Sequence, residues 1–198
     1  MSLLRKLFSV FVLLASGSIV SAETSPGLVI LLAIDQLRAD RLDAALPGGL
    51  GRLARDGFVF TNATLDHGVT NTCPGHIAFA SGVNPGKAGI PGNDYIDPET
   101  FEARYCVEDA EERFAVFGAR ENRSPRSIRV PTLGDWLKSG SPSSRVIAIS
   151  AKDRAAITLG GHHADAAYWF NRQSARFTSS RYYMRSEEHT SELQSPCN

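Results

Sequence analysis

Neither charge is in excess in this sequence: 21 Lys and Arg face 21 Asp and Glu across 198 residues. That balance excludes both the basic footprint of a nucleic-acid binder and an acidic tail. No apolar run is long enough to cross a membrane. The run from Leu7 to about Val20 is interrupted by Ser9, Ser16, Gly17 and Ser18 and falls short of the roughly 20 apolar residues a spanning helix needs. Behind Arg5 and Lys6, and ahead of Val20-Ser21-Ala22, it reads instead as a secretory signal peptide over residues 1–22, cleaved before Glu23. The expectation is a periplasmic or secreted protein with no stable membrane span. Internal repeats and heptads are absent. Cysteine is scarce, and only Cys73 and Cys106 fall in the body of the chain. A disulfide persists in an extracytoplasmic compartment, but the separation of these two along the chain leaves their pairing open.

The other end is unusual. Arg185 to Ser195, "RSEEHTSELQS", reads codon for codon as the translation of a common sequencing-library adapter. Residues 185–198 are therefore set aside as non-native, and Glu187, Glu188, His189 and Cys197 are not counted among site residues. Residues 23–184 remain, enough by length for one domain-sized core.

Within them, "GLVILLAID" (Gly27 to Asp35) is a near-continuous β-branched and leucine run, the pattern of a strand buried on both faces of a parallel sheet. "QLRADRLDAAL" reads as a helical turn region, "GGLGRLARDG" as a short helix ended by Gly57, and "FVFTNATL" as a second strand. In "PGHIAFASG" Pro74 suits a first helical turn and Gly82 an end. The polar stretch from Asp97 to Arg129 reads as an excursion. "VPTLGDWLKSG" is a helix, "SPSS" a loop, and "RVIAIS" (Arg145 to Ser150) another buried strand. The order predicts an α/β fold. Ligands of open α/β sheets bind at the carboxyl ends of strands, so Asp35 and the "AKDR" segment that follows Ser150 draw attention.

Asp35 would carry a carboxylate to the sheet rim, where it can ligate a divalent cation or, equally on position alone, cap a helix. Thr72 lies just ahead of a helix start that favours an anion; its hydroxyl is either a metal-activated nucleophile or an ordinary cap. Thr70 has the same chemistry further from the helix. Lys152 and Arg154, two apart, would face the same way in an extended segment and suit a dianionic group, or simply form a solvated turn. "NAT" at Asn62 and "NRS" at Asn122 fit the glycosylation pattern and matter only in a eukaryotic host.

The segments "LAIDQLRAD", "VTNTCPGH", "GIPGNDYID", "YCVEDA", "SPR", "KDRAAITLGGHHADAAYWF" and "RYYM", in this order and approximate spacing, resemble the alkaline phosphatases of the PafA type. These are periplasmic, zinc-dependent phosphomonoesterases of the alkaline phosphatase superfamily, related to nucleotide pyrophosphatase/phosphodiesterases. The resemblance covers Leu28 to Met184 and implies an αβα sandwich, two zinc ions and small-molecule phosphate esters as substrates. It implies that Asp35 is a zinc ligand, that Thr72 is the nucleophile and a zinc contact, and that Asn93 donates to a phosphoryl oxygen. Lys152 and Arg154 are implied to contact the same phosphoryl group. Cys73 becomes a packing neighbour, His76 a structural hydrogen-bonding residue, and His162 and His163 non-ligating. The sulfatase pattern Cys-x-Pro-x-Arg fails, since Pro74 follows Cys73 directly and no arginine follows. In the family the remaining zinc ligands lie downstream of anything present here, so the chain as written is expected to be inactive. The other readings are a phosphodiesterase of the same superfamily and a non-catalytic phosphate- or metal-binding periplasmic module.

Overall fold

The computed structural model describes residues 27–183; the segments read above as a signal peptide (1–22) and as an adapter translation (185–198) lie outside the described residues. Two units separate at Ile34/Asp35. In the first, 27–34, the expected buried strand does not form: the backbone is irregular and Leu28 and Ile30 are each 76% exposed. β-Branched sequence favours an extended chain, but a strand exists only through a hydrogen-bonded neighbour. The same holds for the second expected strand, 58–65, which is irregular with Phe58 and Phe60 exposed.

The second unit opens with Gln36 at φ 61°, a left-handed turn directly after Asp35, and a 3-10 turn over Ala39–Arg41. Helix α1 (Gly48–Asp56) stops where expected, the Gly57 N–H bonding the Leu53 carbonyl. Helix α2 (Thr72–Ser81) carries Pro74 in its first turn, where a missing N–H costs nothing, and ends at Gly82 in the left-handed region, φ 68°. Strand β1 (Asp94–Ile96) pairs antiparallel with β2 (Ala103–Tyr105). The polar excursion is therefore not a free loop. Bridges Glu108–Arg123, Ala115–Asn122 and Val116–Ser180 tie it down, and Val107, Val116 and Ile128 are buried in the core.

Helix α3 (Leu133–Gly140) starts in a capping box between Thr132 and Asp135. Strand β3 (Ile147–Ser150), helix α4 (Asp153–Gly160) and strand β4 (Ala166–Asn171) form a βαβ unit whose strands are parallel, and β5 (Arg176–Thr178) adds antiparallel to β4. The small side chains of Ala148 and Ala167 admit the α4 backbone at Gly160. β3 is not buried on both faces as expected. Ala148 faces the core, but Ile147 and Ile149 are 59% and 65% exposed, because the helices described here cover only one side. Among the described residues no helix is long and apolar enough to cross a membrane.

Asp135 is buried at the start of α3. Burial raises its pKa, but hydrogen bonds from the Thr132 N–H and hydroxyl and from the His163 backbone and ring more than reverse this, leaving the carboxyl below its ordinary value. A depressed carboxyl stabilises the fold above its unfolded pKa of about 3.9, and that stability is lost as pH falls through the lower folded value. Asp135→Asn should therefore cost about 1–2 kcal/mol at neutral pH, read as a lower urea midpoint, with the difference from the parent shrinking as pH falls below the ordinary carboxylate range.

Candidate active site

Thr72 is the first residue of α2, and Asn71 before it is extended and makes no side-chain cap. The cap comes from elsewhere: the Cys73 N–H donates to Asn93 Oδ1 at 2.8 Å. Because that oxygen must accept, the amide orientation is fixed, and the two Nδ2 donors of Asn93 point away from the bond. Asn93 is held by its backbone too, its carbonyl accepting from the Cys106 N–H at 2.8 Å. Cys106 in turn forms a disulfide with Cys73, Cα to Cα 6.6 Å. Three bonds thus close a ring through Cys73, Asn93 and Cys106 beside Thr72. The pairing that chain separation left open is made, so Cys73 is a covalent tie, where sequence suggested packing.

His76 is buried one turn into α2. Its Nδ1–H donates to the Thr72 carbonyl at 2.6 Å, which turns Nε2 toward Asp35 Oδ1, 3.5 Å away. The other Asp35 oxygen lies 3.4 Å from Lys152 Nζ. Residues 117 apart in sequence therefore meet next to the first turn of α2. Both partners are half-exposed, so the ion pair itself adds little stability. Thr70 is exposed in the loop before α2.

Lys152 and Arg154 do not lie in one extended segment as expected. Lys152 precedes α4 with extended backbone, while Arg154 is inside its first turn, so strand alternation does not apply. Arg154 Nη1 donates to the Tyr105 hydroxyl at 3.0 Å, and its Nε is buried with no protein partner. Burial opposes its charge, but the Tyr105 hydrogen bond and the charges of Asp153 and Asp94 raise its pKa overall. Tyr105 also donates to Asp153 Oδ1 at 2.7 Å, and Arg123 Nε holds Asp153 Oδ2 at 2.7 Å. Sequence reasoning gave Tyr105, Arg123 and Asp153 no role, although Asp153 sits between the two singled-out cations.

His162 and His163 bond within the fold, to the Ile128 carbonyl and to Asp135. Among the described residues no three His, Cys, Asp or Glu converge on a point where a metal ion would sit. Asp35 and the Thr72 hydroxyl suit zinc as oxygen donors, yet two donors fall short of the three or four that zinc sites take from protein.

The α/β arrangement of these elements is that of the alkaline phosphatase fold. It superposes on the crystal structure of wild-type alkaline phosphatase PafA with a TM-score of 0.65 at 33% identity, over 70% of this chain and 27% of that one. The chain belongs to the family described as type I phosphodiesterase / nucleotide pyrophosphatase, which it matches over residues 29–195. Alkaline phosphatase PhoK of Sphingomonas sp. is 36% identical over 154 residues, 75% of this chain and 27% of PhoK. A second PafA structure, of a variant with one threonine changed to serine and an asparagine, a lysine and an arginine changed to alanine, matches with a TM-score of 0.57 at 27% identity, over 66% of this chain and 27% of that one. The chain spans between 25% and 34% of the length of the curated relatives it matches.

Proposed function

We propose that this chain is the nucleophile-bearing part of a longer, zinc-dependent, periplasmic or secreted phosphomonoesterase that acts on small phosphate esters through a phosphothreonine. One observation carries the reading. The threonine and asparagine replaced in the PafA variant are separated by the same interval as Thr72 and Asn93, and its lysine and arginine by the same interval as Lys152 and Arg154. The geometry of this chain supports the match, since Asn93 is docked on the helix that Thr72 begins.

In this reading the Thr72 hydroxyl attacks phosphorus, the Thr72 O–P bond forming as the ester P–O bond breaks and the alcohol leaves. Water then cleaves the phosphothreonine, restoring the hydroxyl and releasing phosphate. Asn93 Nδ2, Lys152 Nζ and the unpartnered Arg154 Nε supply preorganised donors to the nonbridging oxygens, where transition-state charge resides. Asp35 and Thr72 would help hold the metal, and zinc, when bound, would lower the pKa of the hydroxyl.

The family description favours a second reading, a phosphodiesterase. Two cations suit the second charge of a monoester better than the single charge of a diester. The test is kcat/KM of the full-length protein on p-nitrophenyl phosphate and bis-p-nitrophenyl phosphate, with zinc and with a chelator. Zinc-dependent preference for the monoester is expected. Preference for the diester would establish the second reading, and turnover of neither would make the protein a binding module. The 198-residue chain alone should turn over neither substrate in zinc, because Asp35 and Thr72 cannot fix an ion by themselves.

A further inference from the structure

Tyr105, the last residue of β2, is held near the site through its hydroxyl. Its hydroxyl donates to Asp153 Oδ1 at 2.7 Å and accepts from Arg154 Nη1 at 3.0 Å. Asp153 is itself fixed from both sides, Oδ2 by Arg123 Nε at 2.7 Å and Oδ1 by the Arg154 backbone N–H at 2.7 Å. Two guanidinium groups approach the Tyr105 ring, that of Arg123 at 4.9 Å and that of Arg154 at 5.9 Å from its centroid. The next residue, Cys106, is locked to Asn93 and Cys73. The dipeptide Tyr105-Cys106 therefore joins the start of α2 to the arginine on α4. With Nη1 taken by Tyr105, Arg154 Nε is buried without a partner among the described residues, a charged donor suited to a phosphoryl oxygen.

The geometry points to Tyr105 as a positioning residue that aims Arg154 and thereby sets the preference for a dianionic phosphoryl group. This rests on the function proposed above. Tyr105 acts through Arg154, with Asp153 and Arg123 as its supports. Burial first, and the neighbouring Asp153 carboxylate second, push the Tyr105 hydroxyl above its ordinary pKa, so it remains a protonated donor under alkaline assay conditions.

Tyr105→Phe keeps the ring and removes only the hydroxyl. In the full-length protein it should lower kcat/KM for p-nitrophenyl phosphate about tenfold, the worth of one hydrogen bond to a charged group, and for bis-p-nitrophenyl phosphate by less than about twofold. In an Arg154→Ala background the same substitution should have no further effect on the monoester. Asp153→Asn, which loosens Tyr105 from the other side, should shift the monoester-to-diester ratio in the same direction. Equal losses on both substrates would overturn the inference. So would an unchanged ratio in both Tyr105→Phe and Asp153→Asn, or an undiminished effect of Tyr105→Phe without Arg154. If Arg154→Ala alone leaves the ratio unchanged, the proposed function fails together with this inference. If Arg154→Ala lowers the ratio and Tyr105→Phe does not, the inference alone fails.

Discussion

Thr72→Ala in the full-length protein should lower phosphomonoester turnover by roughly four orders of magnitude or more, the scale on which a lost nucleophile is felt, whereas Thr70→Ala should leave most of it. The two threonines are two residues apart and chemically identical, so only placement separates them. Thr72 opens α2, its carbonyl accepts from buried His76, and the next N–H is held by Asn93. Thr70 is exposed in the preceding loop and takes no part in that assembly. Steady-state kinetics on p-nitrophenyl phosphate, with circular dichroism to show that both variants fold, separates the cases. Equal losses at the two positions would remove Thr72 from the role.

Replacing Lys152 and Arg154 together by alanine has the second largest effect. Monoester hydrolysis should fall by roughly a thousandfold, as when preorganised donors to transition-state charge are removed, while diester hydrolysis stays within about tenfold. The structure gives the two residues different surroundings. Lys152 faces the Asp35 carboxylate, and Arg154 is set in the Tyr105 and Asp153 network with a donor unpartnered. Arg154→Ala alone should therefore cost most of the selectivity, and Lys152→Ala should also alter zinc affinity, since it leaves Asp35 without its counter-charge. Parallel losses on monoester and diester would make these residues supports of the fold.

The parts of this fold that were legible in the sequence are those set by nearby residues. α1 ends at Gly57, α2 at left-handed Gly82 and α3 runs within "VPTLGDWLKSG", because caps and helical periodicity act within a few positions. The segments 27–34 and 58–65 read as strands and are not, because strand formation depends on a partner that may lie anywhere in the chain. "RVIAIS" reads as a buried strand, and β3 forms within it, yet Ile147 and Ile149 are exposed, since burial depends on which layers are present. The site divides in the same way. Asp35, Thr72, Asn93, Lys152 and Arg154 came from resemblance, with position supporting some of them. What holds them did not: the Tyr105–Asp153 and Arg123–Asp153 bonds span 48 and 30 residues, and the Cys73–Cys106 disulfide spans 33. Such contacts leave no periodicity to read.

In the proposed reaction Thr72 carries the phosphoryl group. The most direct test incubates the zinc-loaded full-length protein with p-nitrophenyl phosphate, quenches it in acid during turnover, digests it and sequences the phosphorylated peptide by fragmentation mass spectrometry. A phosphate ester on Thr72, absent from Thr72→Ala, is the expected result. Phosphate on Thr70 or on any other residue, or robust turnover by Thr72→Ala, would contradict it.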